Sequence, residues 1–256
     1  MGTSRSNPGS GSPTPLVPPW ADHDGEGPGP EPPPHRFRSF RTDLGRFVRD
    51  GNIADLRSAL GHYARTSTGG ADVAVRRLSP VIRVGGALLS LFTGLQRGGT
   101  GVAESGINVA ALAGSDVGTV IDAIINALSP PGGSSDDELI RQSMDCALAE
   151  MLGGQESFDT TAITNEMVVD LCLKYLIETV FNRMLLDAGQ AFDKAGSPER
   201  AIQAENEMYS IVEALVTETA GPTMNTNLRT FERDQSEELI QDLVRQVWGE
   251  MENLYD

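Results

Sequence analysis

The chain has 256 residues, with 36 acids against 20 bases, a net charge of −16, 39 % hydrophobic residues and only 5 % aromatics. This composition fits a helix-rich core better than a β-sandwich, which draws on more β-branched and aromatic residues, and its acidity opposes non-specific binding to nucleic acid or anionic lipid. Two cysteines make no disulfide framework or zinc site, and neither Lys174 nor Lys194 follows a glycine, which excludes a Walker A loop.

Residues 1–35 hold ten of the fifteen prolines, with Gly2, Gly9, Gly11, Gly25, Gly27 and Gly29 among them. Such a stretch buries little apolar surface and is expected to be a disordered N-terminal arm. It has no apolar run of the kind a signal peptide carries. Leu16, Val17 and Trp20 are its one large apolar cluster, either an incidental patch in a linker or a docking point for a partner. The arm opens Met1-Gly2-Thr3-Ser4-Arg5-Ser6. Methionine before a small residue is normally removed, which would expose the Gly2 amine; the string also matches the short myristoylation pattern, without the polybasic second signal that stable anchoring needs.

The charge then changes sign. Arg36 to Arg97 carries eleven arginines and four acids, whereas the chain from Gly101 onward carries eight bases and 28 acids. Either a basic helical half packs on an acidic one or the basic half presents a surface to a partner. Helical spacing of Phe37, Phe40, Leu44, Phe47 and Val48 predicts a helix over 36–50. Gly51 stops it and Asn52 caps a second, which carries Ile53, Leu56, Leu60 and Tyr63. His62, the last of three histidines, reads as a surface or hydrogen-bonded side chain rather than a catalytic one. Residues 80–128 are rich in Gly and Ala, which allow close helix approach but weaken helices. Short helices are expected near 81–95, 103–113 and 116–128, with a flexible break at Gly98–Gly101. The uncharged stretch from Val84 to Gln96 is too short to span a bilayer.

Beyond residue 130 the pattern is a helical bundle. Ser135-Asp136-Asp137-Glu138 reads as a capping box, followed by Ile140, Met144, Ala147 and Met151 at 4-3-4 spacing. A helix over 162–188 shows a wide apolar face, with Asp170, Lys174, Glu178 and Asn182 as its polar edge. Ser197-Pro198 starts another helix, and the last, over 236–255, carries Ile240, Val244, Val247, Met251 and Leu254. The bundle's acids lack the Glu-x-x-His pairs of a di-metal site and read as solvated faces, so no metal and no cofactor is expected. The fold expected is all-α in three parts: an arm over 1–35, a basic then Gly/Ala-rich helical region over 36–130, and an acidic bundle over 131–256. No catalytic residue is expected, and two cysteines outside any framework suggest a reduced, cytoplasmic chain.

Three strings carry a family resemblance: Met1-Gly2-Thr3-Ser4, Pro13-Thr14-Pro15-Leu16-Val17-Pro18-Pro19-Trp20, and Leu56-Arg57-Ser58-Ala59-Leu60-Gly61-His62-Tyr63-Ala64-Arg65. They resemble the QatB family of Qat anti-phage system associated proteins. None is a catalytic motif. The resemblance implies a bacterial four-gene defence operon, with an ATPase, a QueC-like enzyme and a TatD-like nuclease as partners; the charge balance and the short uncharged stretch, for their part, lead to no expectation of direct nucleic-acid or membrane binding. QueC-type enzymes activate the carboxylate of 7-carboxy-7-deazaguanine with ATP and couple it to ammonia. A protein amine in place of ammonia would give an amide-linked deazaguanine, and Gly2 is the candidate amine. Thr3, Ser4, Leu16, Val17 and Trp20 are then the arm's recognition residues. The alternative is a scaffold or adaptor that docks the ATPase or the nuclease, with the arm only a linker.

Overall fold

The structure, a computed structural model, describes residues 35–98, 106–130, 132–227 and 235–254. The arm up to residue 34, with Gly2, Thr3, Ser4, Leu16, Val17 and Trp20, lies outside the described residues, as does most of the break expected at Gly98–Gly101.

Every regular element among the described residues is helical. Helix α1 (Arg38–Asp50) ends as its sequence requires: Gly51 adopts φ +72° and returns its N–H to the Phe47 carbonyl. Asn52 then caps α2 (Ile53–His62), its side chain accepting from the Ala54 N–H. The two helices pack together through Phe40, Leu44, Leu56 and Leu60, all fully buried.

Helix α2 does not stop at His62 but widens into a π-helical turn, Tyr63–Ser67. The carbonyls this turn releases are taken up locally. Thr68 N–H and Gly70 N–H donate to the carbonyls of Tyr63 and Ala64, each at 2.9 Å. The seven-residue α3 (Ala71–Arg77) follows, starting from two glycines at φ +90°, and lies against the C-terminal helix.

Helix α4 (Ser79–Gln96) is buried along most of its length between α7 and α9. No single helix among the described residues is long and apolar enough to cross a membrane; α3 and α4 together pass on length and composition but meet at a 73° bend. The helix expected over 103–113 is not formed over its described part. Residues 106–108 are irregular and only a short 3₁₀ turn, Val109–Leu112, follows, capped by Asn108. The glycine-bounded segment offers one buried anchor, Val109, too little apolar surface to hold a longer helix. Helix α5 (Val117–Leu128) starts at Asp116, whose carboxylate accepts from the Thr119 N–H.

The capping box of α6 (Ser135–Leu152) sits one residue earlier than its sequence suggests. Ser134 is the cap and Asp137, not Glu138, completes the box. Both pairs have the required spacing, and the Ser134 hydroxyl and Asp137 carboxylate meet at 2.6 Å. Helix α7 (Asn165–Ala188), capped by Thr164, is the central element and touches α1, α4, α6 and α8. That enclosure changes the meaning of its polar edge: Asp170 stays exposed, Lys174 and Asn182 are half-buried and Glu178 is buried. Helix α8 (Pro198–Asn227) starts where Ser197 accepts from the Arg200 N–H and runs on through Pro222. Helix α9 (Ser236–Asn253) closes the fold against α3, α4 and α8. Its apolar seam, Ile240, Val244, Val247 and Met251, is buried as the spacing predicts, and Trp248 is buried beside it.

Candidate functional site

The strongest convergence of polar groups lies where the N-terminal segment enters the fold. Arg36 and Phe37 come from the root of the arm. Tyr63, Ser67 and Thr68 come from the π-turn and its exit, Arg77 from α3, Arg183 and Asp187 from α7, and Trp248 from α9. Together they line a crevice of about 30 Å³, roughly enough for two or three water-sized atoms and too small for a nucleobase.

Each wall has a local cause. Tyr63 faces inward because it continues the apolar stripe of α2 into the π-turn, its ring tilted against Phe40 with the centroids 4.9 Å apart. Its buried hydroxyl needs an acceptor and finds Asp187 Oδ2 at 2.8 Å. Asp187 lies one turn beyond Arg183, whose Nε is 3.8 Å from the same oxygen and whose Nη1 pairs with Asp136 at 2.5 Å. Arg41 donates to the Asp187 carbonyl at 2.8 Å and stacks over Phe37. Thr68 accepts the Trp248 indole N–H at 3.0 Å, and Ser67 donates to the Arg36 carbonyl at 3.1 Å. The π-turn thus ties the arm root to α9.

Burial raises the pKa of Asp187, against the pull of Arg183, the Tyr63 hydroxyl, Arg36 and Arg41. Burial and then the Asp187 charge push the Tyr63 phenol well above its usual range. Tyr175, buried in α7 with its hydroxyl on the Val81 carbonyl, is also pushed up by burial. These protons stay on the folded chain while the unfolded chain loses them above pH about 10, so stability falls as pH rises beyond that point. Tyr63→Phe is expected to remove about 1 kcal/mol per pH unit of that fall between pH 10 and 11. Urea midpoints at a series of alkaline pH values measure it, and an unchanged slope contradicts the burial argument.

Two further clusters have a catalytic look but different chemistry. Ser58 donates to Asp43 Oδ2 at 2.8 Å and His62 Nε2 lies 3.5 Å from the same oxygen. A nucleophilic triad needs the histidine between serine and carboxylate; here the serine proton goes straight to the carboxylate. On α7, the Lys174 ammonium is clasped by Glu150 at 2.7 Å, Tyr209 at 2.7 Å and Glu178 at 3.2 Å. Burial works against its charge, but these three partners outweigh that and hold its pKa above the ordinary value. Cys146 and Cys172 are free thiols, and burial pushes Cys172 up to about 12, the opposite of an activated nucleophile. Among the described residues no group of three or more His, Cys, Asp or Glu side chains is placed to hold a metal ion.

The crevice was not foreseen from the sequence. Its one readable trace is the Arg183–Asp187 spacing, which puts the pair on one helix face. The model of the family described as Qat anti-phage system associated protein QatB matches residues 69–251. The chain belongs to the QatB family. The matched span runs from the glycine pair before α3 to the last turn of α9, and so includes Arg77, Arg183, Asp187 and Trp248. The three strings on which the sequence resemblance was drawn, at 1–4, 13–20 and 56–65, all lie before that span, so the membership rests on the helical part of the chain and not on them. No curated protein and no solved structure matches this QatB-family chain.

Proposed function

We propose that this QatB-family chain acts in its anti-phage system as a non-enzymatic, cytoplasmic component whose N-terminal arm is the substrate for modification. A QueC-like partner would activate the carboxylate of a 7-deazaguanine with ATP. The Gly2 α-amine, exposed when Met1 is removed as initiator, would attack the activated carboxyl, lose a proton and form the amide. Thr3, Ser4, Leu16, Val17 and Trp20 would be read by that enzyme.

The observation that carries this reading is the fate of the chain's amines. Lys174 and Lys194 are the only lysines. The Lys174 amine is held as an ammonium by Glu150, Tyr209 and Glu178 and is no nucleophile. An α-amine, with a pKa near 8, keeps more of its uncharged form at neutral pH than a lysine side chain at its ordinary value. The proline- and glycine-rich composition of the arm suits a segment that must thread an enzyme pocket.

Intact and N-terminal peptide mass spectrometry tests it, on protein expressed with its operon and with the QueC-like gene deleted. The expected result is a mass added at Gly2 only when that gene is present. An unmodified Gly2 in both samples overturns the proposal. It would leave the adaptor reading, in which the folded part docks the operon's ATPase or nuclease. The exposed guanidiniums of Arg38, Arg57, Arg76 and Arg83 on α1 to α4 favour that second reading.

A further inference from the structure

The opposite charges of the two halves do not all meet inside the fold. Between Asp55 and Asp72 the chain holds no acid, and between Arg141 and Lys174 it holds six acids and no base. Ion pairs form within each half: Arg46 with Asp43 and Arg49 with Asp50 in the first, Lys174 with Glu150 and Arg200 with Glu207 in the second. Arg245 with Asp72 crosses between them, and there the acidic half supplies the cation. Arg38, Arg57 and Arg76, on α1, α2 and α3, are exposed and pair with no carboxylate among the described residues. Glu156, in the connection from α6 to α7, and Glu166 and Asp170, in the first turns of α7, are exposed and pair with no cation among them. The length of α7 keeps the two groups apart. Its C-terminal end is fastened to the basic helices, where Asp187 takes the Tyr63 hydroxyl on its carboxylate and the Arg41 Nε–H on its carbonyl. At 1.5 Å per residue, Asp170 lies about 25 Å and Glu166 about 30 Å from that end. These separations exceed the Debye length of about 8 Å at physiological salt, so the two ends do not compensate each other within one molecule.

We infer that these ends are the two sides of one contact between copies of this chain. The face carrying Arg38, Arg57 and Arg76 on one copy receives the end carrying Glu156, Glu166 and Asp170 of a second. Charge complementarity selects this occupant: the acidic end is a surface of the right sign that every copy brings with it. The acids of the basic helices do not cancel their face, since Asp43, Asp50 and Asp72 are each held by an arginine. The net charge of −16 sets copies against each other at long range, and screening beyond a Debye length leaves the local match at contact to decide. Exposed ion pairs are individually weak, so the association is reversible and favoured by high protein concentration. The two sides differ, which makes the contact heterologous: a dimer leaves one basic and one acidic end open, and further copies add to them. The contact does not depend on any modification at Gly2.

Sedimentation velocity of the full chain, expressed without its operon partners, tests this over a range of concentrations. In about 0.15 M sodium chloride the average mass is expected to rise with concentration past that of a dimer. In about 1 M salt, where the Debye length falls to about 3 Å, it is expected to return to that of the monomer. Arg38→Glu with Arg57→Glu and Arg76→Glu gives a chain with two acidic ends, and Glu156→Lys with Asp170→Lys gives one with two basic ends. Each alone is expected to lose self-association by about tenfold or more, and an equimolar mixture of the two to associate again. A misfolded variant cannot give that rescue. Should the triple variant fail to fold, Arg57→Glu alone is expected to weaken self-association by about threefold or more. A wild-type chain that stays monomeric at every concentration overturns the proposal, as does an association that survives both reversals or high salt. A monomeric wild type that instead binds an oligoglutamate peptide or a single-stranded oligonucleotide, and loses it in the triple variant, overturns it in favour of that occupant.

Discussion

Gly86→Ala is expected to destabilise the fold by about 2 kcal/mol, while Gly94→Ala, in the same helix, is expected to stabilise it by about 1 kcal/mol. The two glycines share helical backbone and differ in what faces them. A methyl group at Gly86 would lie 2.8 Å from the Glu237 Cα and 2.9 Å from its backbone nitrogen, at the first turn of α9. Backbone cannot swing aside as a flexible side chain can, so α4 and α9 would have to separate, loosening Ile240 and the seam behind it. Gly85 adds to the tightness, with Tyr175 Cε1 at 3.0 Å from where its Cβ would be. Gly94 has nothing within 4 Å. There the substitution only removes glycine's excess freedom in the unfolded chain. Urea or thermal unfolding of the two variants decides it. Equal effects of the same sign would mean that α4 and α9 do not rely on this close approach.

The same helix shows how far the sequence could be read. That small residues at 85–86 permit close packing was legible; that the partner would be the start of α9, some 150 residues on, was not, because spacing within one helix carries no information about which helix it meets. The seams of α6, α7 and α9 were legible for the opposite reason: a three-and-four repeat needs only its own helix. Local stop and start chemistry at Gly51 and Asn52 was equally readable. The capping box of α6 slipped by one because Ser134-Asp137 and Ser135-Glu138 satisfy the same rule, and only the path of the preceding chain chooses between them. The polar edge of α7 was read as solvated because an isolated amphipathic helix has one wet face. Enclosed by four neighbours, α7 keeps Lys174 and Glu178 only by giving them Glu150 and Tyr209 as partners. The crevice was the least legible feature. It assembles Arg36, Tyr63, Asp187 and Trp248 from four distant segments, and its π-turn has no composition of its own.

That assembly sets the second large effect, at Asp187. Asp187→Ala is expected to cost about 3 kcal/mol, well above the cost of losing an exposed ion pair. The side chain is only about one-fifth exposed, and the Tyr63 hydroxyl it accepts from is fully buried. Its removal orphans that hydroxyl and leaves Arg183 with Asp136 as its remaining carboxylate partner, while Arg36 loses the one negative charge inside the crevice. Tyr63→Phe removes the orphaned donor at its source. In the double variant the two losses should therefore fall short of their sum by about 1 kcal/mol or more. Asp187→Asn keeps an acceptor for the phenol and loses only charge, so its cost should lie below that of alanine. The cycle is measured by urea unfolding at pH 7. Strict additivity would mean that Asp187 contributes through Arg183 alone and that the π-turn is held to α7 by apolar packing. Coupling of the expected size would make the Tyr63–Asp187 bond the tie between the root of the arm and the centre of the bundle.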